Sequence, residues 1–196
     1  MNIKEATIFL GAIYLDSSKR IPFGIISKEK IKVGERKLRL TKKSPEFISH
    51  TKSGWTSSDV IVRYLRWLKK QMKSDKFALI IDVYKSHIDQ KVKTEAKKLG
   101  IQLIYVPASG TSLYQPLDIK IYGITKNKLI QKEKDDPVLI GKNRFKQVTK
   151  NMTSIFNNLS DHSIRSAWNI PSLNKLLVLE SKEDKSDYEW LPDDDK

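Results

Sequence analysis

Cysteine is absent from the 196-residue chain. A disulfide framework, a thiolate zinc site and a cysteine nucleophile are excluded together. Histidine is scarce as well: His50, His87 and His162 lie far apart and form no metal-ligand spacing. No apolar run approaches the roughly eighteen residues of a membrane span. The N-terminus lacks the apolar stretch of a secretory signal, so an intracellular soluble protein with no membrane partner is expected. No internal repeat is found. What is present suffices for a packed core. Hydrophobic residues make up 39% of the chain and charged residues 31%. Apolar runs such as Phe77-Ala-Leu-Ile-Ile81 recur along most of the length, which a disordered chain does not show. The length fits one ordinary domain with some additional helix or tail.

Charge is the first functional clue. Lys and Arg number 37 against 23 Asp and Glu, a net charge of +14. The surplus is uneven. From Glu180 to Lys196 eight acidic residues face three basic ones, whereas residues 1–179 hold 34 basic against 15 acidic residues, a surplus of +19. A body so charged attracts a polyanion, and nucleic acid is the natural candidate. The alternative is a lysine-rich solvated surface with no such partner.

The start of the chain reads as strands. Ala6 to Leu15 is an apolar, β-branched run, and a polar Asp-Ser-Ser-Lys turn leads to Ile21–Ile26, which is a hairpin pattern. Residues 28–53 are basic and irregular, with Lys37–Leu40 as a candidate third strand. Thr56-Ser-Ser-Asp59 has the form of a capping box. It opens a helix whose Ile61, Tyr64, Leu65, Leu68 and Met72 make one apolar face. Phe77–Ile81 and Ile101–Val106 read as strands buried on both faces. Between them, residues 89–99 form a basic amphipathic helix ended by Gly100. Strand, helix and strand make a βαβ unit, so the two strands should be parallel neighbours. After a loop over 107–115, Pro116 opens a long helix to about Lys134, and Asp135-Asp-Pro137 breaks it. Two helices follow, near 143–158 and 160–169. The sequence beyond about Lys175 is a charged, acidic tail expected to be mobile.

Two carboxylates stand in informative places. Asp82 ends the strand 77–81, where α/β sheets present functional groups and where an ionised acid calls for a counter-charge. Asp118 lies in the first turn of the helix that follows the neighbouring strand. The βαβ unit would bring these two ends side by side, as an oxygen-ligand pair for Mg²⁺ or Mn²⁺. With no third acid beside them, one of the two should titrate above an ordinary aspartate. The bland readings are a turn cap for Asp82 and helix-end electrostatics for Asp118. Trp55, Trp67 and Trp168 read as packing residues.

Leu79-Ile-Ile-Asp-Val-Tyr-Lys-Ser-His87 resembles the second-aspartate motif of the DDE transposases of the mariner/pogo superfamily, where a strand ends in Asp and a His follows five positions later. Tyr105-Val-Pro-Ala-Ser-Gly-Thr-Ser-Leu-Tyr-Gln-Pro-Leu-Asp118 is similar to the pogo and jerky branch, in which Gln-Pro-Leu-Asp leads into the third carboxylate. Gly54-Trp55-Thr56 and Ile164-Arg-Ser-Ala-Trp168 also match, so the resemblance covers about residues 5–170. It implies an α/β, ribonuclease H-like mixed sheet: an antiparallel meander first, later strands in parallel, helices on both faces, and C-terminal helices after it. It divides the chain into a domain over 1–174 and a tail over 175–196. It implies DNA as the partner, a nuclear location, and two divalent ions, Mg²⁺ or Mn²⁺, working on a phosphodiester. His87, Lys120, Lys126 and Lys128 become candidate nucleic-acid contacts. Homodimerisation is left open.

The chain departs from that pattern in one respect that matters. The family's first aspartate belongs to a strand upstream of the segment that Ala6–Ile26 resembles. Asp16, the nearest aspartate, reads as a turn former. The expectation is therefore a domain lacking its first strand, with an incomplete triad and little or no cleavage of its own. A domesticated, non-catalytic DNA-binding or protein-interaction module, and a ribonuclease H-like nuclease that takes its third acid from elsewhere, are the alternatives.

Overall fold

The computed structural model describes residues 8–13, 21, 24–28, 47–73, 76–135 and 141–175. The predicted turn at 14–20 with Asp16, the candidate strand 37–40, the break at 136–137 and the acidic tail lie outside them.

Two small sheets are present among the described residues. In the first, β1 (Ile8–Leu10) runs antiparallel to β2 (Gly24–Lys28), with Ile8 opposite Ile26. The hairpin expectation holds, with the second strand displaced towards Lys28. β2 also pairs with β3 (Phe47–Thr51), and this pairing is parallel, so the expected antiparallel meander is corrected. The chain between β2 and β3 is long enough for the crossover that a parallel pair needs. The second sheet is β4 (Phe77–Asp82) and β5 (Ile101–Val106), parallel and in register from Phe77–Ile101 to Asp82–Val106. They are adjacent, as the βαβ pattern predicts. The result is a mixed α/β protein with short parallel strands and several helices.

Helix α1 (Ser58–Met72) binds the two sheets together. Its amphipathic spacing puts Tyr64, Leu68 and Met72 against Ile26 and Phe47 of the first sheet. Ile61 and Leu65, one turn apart on the neighbouring stripe, pack with Val92 and Ala96 of α2 (Gln90–Lys98) and with Ile101 of β5. The N-cap is Ser57, whose Oγ accepts from the Val60 N–H. The helix thus begins one residue later than the Thr56 capping box suggests. Asp59 is released from that role and pairs with Lys91 Nζ at 2.7 Å. Gly100 ends the α2 segment at φ 68°, a conformation in which a Cβ would be strained.

Successive residues of a strand face opposite ways. Ile25 and Ile26 are both fully buried, which requires cover on both faces of the first sheet. The second cover comes from the C-terminal helices: α4 (Tyr122–Asp135), α5 (Gly141–Asn157) and α6 (Asp161–Trp168), which gather Ile121, Met152, Phe156, Leu159, Ile164 and Ala167 around Ile25. Helices therefore lie on both faces there. The β4–β5 pair meets the expectation in part. β5 buries Ile101 on one face and Ile104 and Val106 on the other, as expected. β4 has no fully buried residue: Phe77 and Leu79 pack toward α1 while Ala78, on the opposite pleat, is exposed.

Candidate active site

β4 and β5 run in parallel, so both deliver their C-terminal ends to the same side of the molecule. Asp82 is the last residue of β4. The loop after it folds back at once: the Tyr84 N–H donates to Asp82 Oδ1 at 3.2 Å, and the His87 N–H donates to the Tyr84 carbonyl at 2.7 Å. This turn swings the imidazole of His87 over Asp82, with Nδ1 at 2.5 Å from Oδ1. The Tyr105 hydroxyl of β5 donates to the His87 carbonyl at 3.1 Å and fixes the turn from the adjacent strand. Asp82 is held below the ordinary aspartate range, first by the hydrogen bond from His87, against the opposing effect of burial. It is ionised at neutral pH, so Nδ1–H is the donor.

After β5, one turn of helix α3 (Thr111–Tyr114) and then Pro116 lead into a widened π turn (Leu117–Ile121) continuous with α4. Asp118 occupies the first turn, where the free N–H groups favour an acid. Its outer surface is open, yet its carboxyl group is pushed above the ordinary range. Partial burial against the turn is the first cause and the charge of Asp82 the second. The two acids thus feel each other, and Asp118 is the one displaced upward, the direction expected for one member of such a pair.

Gln115 explains how they are held. With its amide nitrogen towards Asp118, it donates to Oδ2 of that residue, and its amide oxygen accepts from the Asp82 backbone N–H at 3.0 Å. One side chain therefore ties the carboxylate that starts the helix to the backbone that ends the strand. Tyr122, in the first turn of α4, accepts at its hydroxyl oxygen from the Gly11 N–H at 3.2 Å. A Cβ on Gly11 would sit 3.2 Å from that oxygen and 3.0 Å from Phe156, so the close approach depends on glycine. Burial raises Tyr122 to about 12.

The structure brings Asp82, Asp118 and His87 together and leaves the lysines in different places. Lys120 is half-buried in the π turn, two residues past Asp118, whereas Lys126 and Lys128 are exposed on α4. At 1.5 Å per helical residue, those two lie about 12–15 Å beyond the acid. His87 is a partner of Asp82 first, and its side chain is 15% exposed. Gln115 was legible as part of a motif but not as a functional group, because an amide neither titrates nor ligates a hard cation strongly. Trp55 is exposed at 58%, which corrects its reading as a packing residue, while Trp67 and Trp168 do pack against the core. An open concavity of about 400 Å³ beside Lys76, Phe77 and Lys97 lies at the opposite ends of β4 and β5 and holds no acid.

A family model described as DDE superfamily endonuclease matches residues 3–171. The chain belongs to the DDE superfamily of endonucleases. No curated protein and no solved structure matches it. For a DDE domain the donors found here are of the right kind for a divalent cation: two hard carboxylates, mutually repelling, on rigid element ends. Among the described residues they make a pair. No group of three or more His, Asp or Glu side chains that could hold a metal occurs among the described residues. No helix among the described residues is long and apolar enough to cross a membrane.

Proposed function

We propose that this DDE domain is a transposase-derived, DNA-binding module of the mariner/pogo type, whose Asp82 and Asp118 hold one divalent ion, Mg²⁺ or Mn²⁺, against a DNA phosphate. The observation that carries the reading is the Gln115 bridge, which ties the Asp118 carboxylate to the backbone of Asp82. A bound ion would supply Lewis-acid polarisation of a phosphodiester oxygen. The chain's own groups do the rest. His87 holds Asp82 ionised and oriented. Gln115 tethers Asp118 to the Asp82 backbone, and the basic body, with Lys120, Lys126 and Lys128 among its cations, draws in the polyanion.

Two-metal phosphoryl chemistry needs more carboxylate than this pair. β4 pairs only with β5 among the described residues, so its other edge has no described partner strand. Tyr64 on α1 and Tyr122 on α4 belong to opposite helical layers, yet Tyr64 is raised first by burial and then by Tyr122, and the buried Tyr64 hydroxyl has no hydrogen-bond partner among the described residues. A strand carrying the third acid between β1 and β4 would suit both features. A second reading, a domesticated non-catalytic DNA-binding or protein-interaction module in the nucleus, is favoured by the absence of a third ligand among the described residues. The test is plasmid nicking in Mg²⁺ and Mn²⁺ beside DNA titration at rising salt. DNA binding that weakens steeply with salt, with little nicking, is expected. Robust nicking that Asp118→Asn abolishes would show that a third ligand is already in place. Salt-insensitive binding, or none, would overturn the DNA reading.

A further inference from the structure

Seven large hydrophobic side chains are exposed among the described residues, and five of them, Val83, Tyr84, Ile88, Leu113 and Ile119, lie on the two segments that follow β4 and β5. These are the segments that carry Asp82 and Asp118. The pattern repeats: Asp82 is followed by Val83, Tyr84 and Lys85, and Asp118 by Ile119 and Lys120. Phosphate and cation chemistry does not account for apolar surface beside two acids. Clusters of this kind mark binding surfaces.

We propose that this rim receives an unstacked nucleobase, so that the site takes a single strand or an unpaired end of DNA rather than an uninterrupted duplex. The inference rests on the DNA reading above and not on the metal. In a duplex the faces of the bases are hidden in the stack, and only their edges and the phosphates are open. An apolar and aromatic surface has a partner in DNA only when a base is released. Tyr84 is built for the role. Nearly half of its surface is open (48%). Its ring is propped by His87 in an edge contact, with centroids 5.7 Å apart and planes 65° apart. Its own N–H is anchored on Asp82. Leu113 and Ile119, both exposed, flank Gln115 in the sequence, and the Gln115 bridge joins their segment to the end of β4. Lys85 and Lys120 stand beside it for the flanking phosphates, and neither makes an ion pair among the described residues. Charge decides against a second copy as occupant: two chains of +14 repel, whereas a polyanion is attracted.

The experiment uses the full chain in EDTA at fixed low salt, so that cleavage plays no part. Three labelled DNA probes of one sequence are compared: a single strand, the blunt duplex, and a duplex with one unpaired end. Tyr84→Ala should weaken the single strand and the unpaired end about tenfold, the usual cost of losing one stacking platform, and leave the blunt duplex within about twofold. Tyr84→Phe should retain wild-type affinity on all three. Equal losses on every probe, or no loss on any, would overturn the proposal while leaving the DNA reading intact. A dimer in sedimentation that Leu113→Asp dissociates, with single-strand affinity unchanged, would overturn it in favour of a second copy. Failure of all three probes to bind would remove the DNA reading and this inference with it.

Discussion

Gln115→Leu tests the bridge between the two acids. Leucine keeps the side-chain volume but removes the donor to Asp118 and the acceptor for the Asp82 N–H. Asp118 lies open to solvent, so water replaces part of what is lost. The stability cost should then be about 1 kcal/mol, the low end for two hydrogen bonds of which one is charge-assisted, or about 3 °C in Tm for a chain of this size. The metal response should change more. Added at about ten times its Kd, Mn²⁺ stabilises a folded site by about 1.4 kcal/mol. Removing a residue that orients a ligand weakens metal affinity by about tenfold or more. At the same Mn²⁺ concentration, the variant's gain should therefore fall to about 0.4 kcal/mol. Gln115→Glu is the counter-test. It should be less stable than Gln115→Leu without metal, because a third acid joins the pair, and should gain more than wild type from Mn²⁺. Differential scanning calorimetry with and without Mn²⁺ reads all of these. If Gln115→Leu keeps the full wild-type gain, the bridge does not organise the site.

Tyr64→Phe should raise stability by about 1 kcal/mol, because it removes a buried hydroxyl that lacks a partner, and urea midpoints at unchanged m would show it; a loss would mean that the hydroxyl is satisfied. Asp82 and Asp118 should give opposite pH signatures in metal-free unfolding. Asp82 is held low, chiefly by His87, so the stability it adds is present above the ordinary aspartate pKa and is lost as pH falls through its depressed value. Asp118 is raised, so its ionisation costs stability as pH rises from the ordinary aspartate value through its own. Relative to wild type, Asp118→Asn should therefore gain stability as pH rises above the ordinary aspartate value, whereas Asp82→Asn should lose it as pH rises from the depressed value of Asp82 to the ordinary one and stay lower above that. Leu65→Ala, at a fully buried position on α1, should cost about 2–5 kcal/mol in urea unfolding.

The β4–α2–β5 unit was legible because each of its parts is signalled locally: two apolar runs, an amphipathic helix between them, and Gly100 at its end. The position of Asp82 follows from that unit, and that of Asp118 from the helix start signalled by Pro116 beyond it. β3 was not legible. Phe47-Ile-Ser-His-Thr51 alternates burial, but it lies in a basic stretch, and its partner β2 is distant in sequence. Pairing of that kind is set by tertiary contacts, not by pattern. The partial burial of β4 depends on which helices reach it, which periodicity does not encode. At the site, the Asp82–His87 contact depends on a turn that returns the chain over five residues, and the Gln115 bridge on the approach of two segments more than thirty residues apart. Both are properties of the fold, and the residue types alone allow many other partners.

The proposed cation site of Asp82 and Asp118 is read out by titrating Mn²⁺ into the full chain and following electron paramagnetic resonance of the free ion. One site is expected in the wild type, with binding lost or reduced by an order of magnitude or more in both Asp82→Asn and Asp118→Asn. Equal Mn²⁺ binding by the wild type and both variants would rule the site out.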